Sequence, residues 1–170
     1  MKPIRLLGVM PVLVARLLPA SLALRVLVAA ALMAAATCVG QPFGTWTMNP
    51  ERSSFSGGVQ PKSFIARIDA HPKGEVFTLD RTEPDGRTSS SSSMLYLDGT
   101  ARAFHDFGCS GTQSSRRVDG ISVELLRQCG AGAWTKLVRR TAPKNQLILE
   151  ISEQRPDGRR FDHRLIFEKQ

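Results

Sequence analysis

The residues of this chain with chemistry at hand are three histidines, His71, His105 and His163, and three cysteines, Cys38, Cys109 and Cys129. Nucleophilic catalysis needs a serine or cysteine within hydrogen-bond reach of a base that a third group orients. The adjacent His105 and Asp106 cannot act together on a strand, because successive side chains point to opposite faces. His71 stands before Pro72 in a turn and reads as a surface residue. His163 falls between Phe161 and Leu165 on the apolar face of an alternating segment, so it is an inward histidine and a candidate cavity-lining residue. There is no Gly-x-Ser-x-Gly elbow, no phosphate-binding loop and no His-Glu-x-x-His. A metal site of His105, Cys109 and Cys129 has no fourth ligand at zinc spacing. The expectation is a protein that is not an enzyme and uses neither metal nor other cofactor.

Two of the cysteines suit a structural use. Asp119-Gly120 marks a hairpin turn with arms over 109–117 and 121–129. A three-residue loop at Val118-Asp119-Gly120, with Gly in the left-handed conformation, pairs residues whose numbers sum to 238 and sets Cys109 opposite Cys129. A two-residue loop shifts the pairing by one and still leaves them adjacent. Such neighbours can meet disulfide geometry in an oxidising compartment. The expectation is a Cys109–Cys129 disulfide, with two free thiols as the alternative.

The elements that must hold these residues are strands. Turn signals recur at Pro72-Lys73-Gly74, Pro84-Asp85-Gly86, Asp98-Gly99, Asp119-Gly120, Pro143-Lys144-Asn145 and Pro156-Asp157-Gly158. Between them Ile121, Val123 and Leu125 oppose Ser122 and Glu124, and Leu147, Leu149 and Ile151 oppose Glu150 and Ser152. Phe161, His163, Leu165 and Phe167 likewise oppose Asp162, Arg164 and Glu168. A period of two with one polar face is a half-buried strand. The fold class is all-β, with about eight to ten strands near 43–48, 63–70, 75–82, 87–96, 101–106, 111–118, 121–129, 133–141, 146–153 and 160–168.

Tight turns make sequence neighbours into spatial neighbours. Closing such an antiparallel meander into an up-and-down β-barrel removes its two edges, and an open two-sheet sandwich is the alternative. The one long connection runs from Asn49 to Lys62, where Asn49 can cap a short helical turn that Pro50 begins. The serine run over 88–93 offers little to bury. It reads as an edge strand, a wall of a polar cavity or a disordered loop.

Residues 1–37 hold Lys2, Arg5, Arg16 and Arg25 and no acid, and Val26 to Ala36 is unbroken apolar sequence. A basic region, a short apolar run and small residues make an export signal, a signal helix ahead of a barrel domain over 43–170. The apolar run is too short to span a bilayer, which takes roughly 20 residues. Cleavage near 36–40 fits: after Ala36 it keeps Cys38, after Gly40 it discards it. Lipid attachment would need cleavage between Thr37 and Cys38, and Ala35 and Thr37 match that signal poorly. The protein is therefore expected to be periplasmic or secreted, with a lipoprotein anchored to the membrane through Cys38 as the alternative.

Charge points the same way. The chain is +8, and the signal's four basic residues leave +4 for the rest. That excess is spread over Arg116-Arg117, Arg139-Arg140 and Arg159-Arg160, read as solvated strand positions with no nucleic-acid recognition motif among them.

The stretch "GTWTMNPERSSF" beginning at Gly44 carries a Gly-x-Trp that opens the first strand soon after a signal. With "QPKS" at 60–63, "PDGR" at 84–87, "YLDG" at 96–99 and "FEKQ" at 167–170, it resembles a group of small exported lipocalin-like bacterial proteins. The resemblance implies a lipocalin-like barrel in which Gly44 and Trp46 are structural. Trp46 would plug one end under a basic side chain, with Arg164 and Arg140 as candidates. The serine run and the cysteine pair depart from the group, and no binding residue transfers from it.

Two functions remain. A barrel with a cavity would bind a small hydrophobic or amphipathic ligand, the serine run and His163 supplying polar contacts. A barrel filled by side chains would be a structural or interaction module of the cell envelope. An aromatic content of 6% favours a barrel not filled by large rings.

Overall fold

The computed structural model describes residues 41–170 apart from 58, 107 and 108. The signal segment, its cleavage region and Cys38 lie outside the described residues. Eleven strands follow in order: β1 (Gly44–Met48), β2 (Ser54–Phe55), β3 (Ser63–His71), β4 (Gly74–Thr82), β5 (Thr88–Leu95), β6 (Arg102–Asp106), β7 (Cys109–Arg117), β8 (Ser122–Cys129), β9 (Trp134–Ala142), β10 (Gln146–Gln154) and β11 (Arg160–Lys169). All pairings are antiparallel, in the hydrogen-bonded order β5-β4-β3-β1-β11-β10-β9-β8-β7-β6, with two-residue β2 added to β11. β1 joins β3 to β11, so the first and last long strands meet and the sheet curls into a nearly closed ten-stranded barrel. The open sandwich is thereby excluded.

Local chemistry sets the corners. Pro84-Asp85-Gly86-Arg87 and Pro156-Asp157-Gly158-Arg159 build the same turn twice at one end of the barrel. In each the Asp carboxylate accepts the Arg backbone N–H and pairs with its Nε, at 2.7 and 2.6 Å. The Asn49 side chain accepts the Arg52 N–H at 3.2 Å and caps a single 3-10 turn begun by Pro50. Gly74 has φ +145°, and a Cβ there would lie 2.0 Å from the Leu95 carbonyl oxygen, so only glycine lets β4 and β5 meet.

The Asp119-Gly120 hairpin corrects the expected register. Gly111 pairs with Cys129 and Arg117 with Val123, so paired numbers sum to 240 and the loop is Asp119-Gly120-Ile121. Asp119 Oδ1 accepts the Ile121 N–H at 2.8 Å, an Asx turn that moves the corner one residue along. A change of two in the sum preserves which face every side chain takes. Cys109 and Cys129 are diagonal neighbours rather than direct opposites, and they form the disulfide with Cα atoms 5.3 Å apart.

The interior divides into two halves. At one end Trp46, Phe77, Leu95, Leu147, Leu149 and Phe167 pack as a dry core. Trp46 is 1% exposed, donates from Nε1 to the Pro42 carbonyl, and lies under Lys169 Nζ, 5.3 Å from its ring centroid. The basic side chain over Trp46 is therefore Lys169, not Arg164 or Arg140. Both of those take the outward phase of their strands, toward Glu150 and Ser122. The reading of Arg139-Arg140 as solvated also fails for Arg139, which alternation turns inward. It is 2% exposed and pairs with the equally buried Glu75 at 2.6 Å.

Candidate ligand-binding site

The inward faces change character along each strand. β4 runs Phe77, Leu79, Arg81; β8 runs Val123, Leu125, Arg127; β10 runs Leu147, Leu149, Ile151, Glu153. In each case a charged residue closes the run at the same end, away from Trp46; β4 carries Glu75 as well at its other end, where it pairs with Arg139. The turns beside Pro84 and Pro156 belong to that end, the mouth of the barrel. Apolar strand faces that end in charge form a hydrophobic floor below a polar rim.

The rim surrounds a cavity of about 500 Å³. Its floor and one side are Phe64, Leu79, Leu137 and Ile151, with the Cys109–Cys129 disulfide beside them. Its polar side carries Ser89, Ser91, Asp106, Arg127, Thr135 and the Arg81–Glu83 pair. The serine run is thus both an edge strand and a cavity wall, and the disordered-loop reading falls away. Ser89 and Ser91 reach the cavity while Ser90 and Ser92 turn outward to Asp80 and Thr78.

Arg127 organises the polar side. Its Nε donates to Gln113 Oε1 at 3.0 Å, its Nη2 to Ser93 Oγ at 2.8 Å, and its guanidinium covers the Phe104 ring at 4.4 Å. Burial pushes its pKa below the usual arginine value, against the pull of the nearby Asp106 carboxylate. It stays charged regardless, since arginine does not lose its proton in proteins. Arg81 meets Glu83 at 2.8 Å, and Glu153 lies 3.7 Å from Arg155.

The wall is not continuous. β5 and β6 stand at the two ends of the hydrogen-bonded order and share no backbone ladder. The connection between them crosses to β7 instead: Asp98 bridges Arg116, and Gly99 donates to the Ser115 carbonyl at 2.8 Å. A slot of about 410 Å³ is left between the two edges, lined by Ser91, Tyr96, Phe104 and Asp106 among others. Ser91, Phe104 and Asp106 face both slot and cavity. Ser91 Oγ donates to Asp106 Oδ2 across the slot.

His163 faces inward as its phase requires, but it lies beside the main cavity. It borders a smaller pocket of about 160 Å³ under the β2 segment, which shares Phe64, Arg81, Ile151 and Glu153 with the larger one. Its Nδ1 accepts the Ser56 N–H at 3.3 Å and its ring meets Phe55 at 5.6 Å. Burial lowers its pKa below 6.5. His105 points outward to Ser110 and His71 accepts the Lys73 N–H in its turn, so the three histidines are not brought together. Among the described residues no cluster of three His, Cys, Asp or Glu could hold a metal ion, and no helix is long and apolar enough to cross a membrane.

Arg81, Arg127, Asp106 and Glu153 were missed as site residues by sequence reasoning. The available signal was a charged residue continuing the phase of an apolar face. The chain matches no known family model, and a search of curated proteins finds no match.

Proposed function

We propose that this protein is an exported carrier of a small hydrophobic or amphipathic molecule, held in the mouth of a lipocalin-like barrel. One observation carries the reading: a cavity of about 500 Å³ with an apolar floor and a polar wall, at the end of the barrel opposite its dry core. A volume of a few hundred cubic ångströms with few convergent polar groups is the usual form of a small-molecule site. Arg127 and Asp106 take inward, half-buried positions beside that floor, where their unspent hydrogen-bonding groups are open to a ligand. Export rests on the basic and apolar N-terminal segment, and the disulfide is consistent with a non-cytoplasmic location.

Native mass spectrometry of the mature protein recovered from its own cell envelope tests this. A carrier gives an adduct that is lost on denaturation, and the adduct's mass identifies the ligand. The denatured mass also reports the cleavage site and whether Cys38 is absent, free or lipidated. A bare mass, unchanged after incubation with lipid extract, would leave the structural envelope module as the function.

A further inference from the structure

The polar wall says what kind of head group the cavity takes. Its charges are answered from within the protein: Arg81 by Glu83 at 2.8 Å, Glu153 by Arg155 at 3.7 Å. Arg127 and Asp106 both line the wall, each within the other's field, without a direct ion pair between them among the described residues. An anionic head would sit among the Glu83, Asp106 and Glu153 carboxylates, and a cationic one beside the Arg81 and Arg127 guanidiniums. Of the two rings lining the cavity, Phe104 already carries a cation and Phe64 stands against Phe167, with ring centroids 5.7 Å apart. Arg127 covers Phe104 at 4.4 Å, and Arg155 covers Phe161 at 4.2 Å.

Uncharged hydrogen-bonding capacity is what this wall has to spare. Among the described residues the Asp106 carboxylate accepts one hydrogen bond, from Ser91, and a carboxylate has room for about three more. Arg127 makes two side-chain hydrogen bonds among the described residues, leaving about three of its N–H groups. Ser89 and Thr135 add hydroxyls that donate and accept. Donors and acceptors interleaved on one surface, its three carboxylates matched by Arg81, Arg127 and, just outside it, Arg155, suit hydroxyl groups, each of which is both.

We infer that the ligand is an amphiphile with a neutral, polyhydroxylated head, its head against Ser91, Asp106 and Arg127 and its apolar part over Phe64, Leu79, Leu137 and Ile151. This deepens the carrier reading and rests on it. The slot between β5 and β6 begins at Ser91 and Asp106, so a head larger than one sugar unit extends there without leaving the polar wall.

Isothermal titration of the oxidised protein at pH 7 with octyl glucoside, octanoate and octylammonium, each below its micelle concentration, tests the head group at constant chain length. An uncompensated charge placed in this wall weakens binding by about tenfold or more, so the glucoside binds tightest by that margin. Equal or tighter binding of octanoate or octylammonium overturns the head-group inference and leaves the carrier. Binding of none of the three overturns both. The variant Asp106→Asn keeps an acceptor for Ser91 and removes one negative charge. It raises octanoate binding relative to glucoside binding, whereas an unchanged octanoate-to-glucoside ratio would overturn the carboxylate's part in selecting the head.

Discussion

Ser91 on β5 and Asp106 on β6 are hydrogen-bonded at 2.5 Å although their strands share no backbone ladder. At this height the barrel wall is closed by a side-chain contact instead of a ladder. Below it Arg127 reaches Ser93, and Gln113 donates to the Met94 carbonyl at 3.3 Å. The cavity and the slot meet at the Ser91–Asp106 contact, so the polar wall includes the stretch of the barrel that no backbone ladder closes.

Replacing Ser91 by Ala removes that contact without removing a charge. It lowers stability by about 1 kcal/mol, the usual worth of one hydrogen bond. Amide exchange speeds up in 88–95 and 102–106 before it does in β10 or β11. Uniform acceleration across all strands would mean that the seam is no softer than the rest.

Glu75 and Arg139 form a buried ion pair inside the dry half of the barrel, with Nη1 2.6 Å from Oε1 and Nη2 donating to Oε2 at 3.0 Å. Glu75→Gln leaves a buried guanidinium without its counter-charge and costs about 3–5 kcal/mol in urea unfolding. Replacing both together, Glu75→Leu with Arg139→Met, recovers most of that loss, since a packed apolar pair avoids desolvating two charges. A double variant as weak as the single one would show that the pair itself supplies the stability.

The disulfide ties two residues 20 positions apart across the end of one hairpin. Its loss in Cys109→Ser with Cys129→Ser lowers stability by about 3 kcal/mol, chiefly by freeing the unfolded chain. The same double variant loosens a wall of the cavity, so ligand affinity falls along with stability. Loss of stability with affinity intact would separate the disulfide from the site.

His163 sets a pH dependence. Burial is the main cause of its lowered pKa; Arg81 and Arg155 push it the same way, while Glu153 and Asp162 oppose them. The unfolded chain therefore takes up this proton near pH 6.5 while the folded chain refuses it until lower pH. The stability associated with neutral His163 is present above pH 6.5 and is lost as the pH falls below it. Protonation would also remove the acceptor of the Ser56 N–H. Comparing wild type with His163→Gln at pH 8 and pH 5.5, the wild type loses more stability on acidification. An equal loss in both would assign the effect to other groups.

The strands were legible because turn chemistry and alternation agree: ten of the eleven fall within a residue or two of the expected ranges. β2 was not, since a two-residue strand inside a long connection leaves no period to read. The hairpin register slipped by two because Asp119 can form an Asx turn as readily as a three-residue loop can be drawn around Gly120. Long-range choices left no local trace. Glu75 and Arg139 are 64 residues apart, and the pattern marks Arg139 only as one member of an Arg-Arg pair whose alternation turns one inward. The seam was hidden for the same reason. The tight-turn rule makes β5 and β6 neighbours, but the segment between them spends its backbone hydrogen bonds on β7. Of the site, the serine wall and an inward His163 were readable; the charged rim was readable in phase but was not recognised.

Thr135 faces the cavity on β9, opposite Arg127 on one side and Glu153 on the other. Titrating a fluorescent alkyl probe into wild type and Thr135→Trp tests carriage most directly, because the indole projects into the cavity and leaves the dry core untouched. One saturable site is expected in the wild type, and markedly weaker binding in a variant with the same far-ultraviolet spectrum. Equal saturable binding by both would place the ligand elsewhere and contradict the carrier.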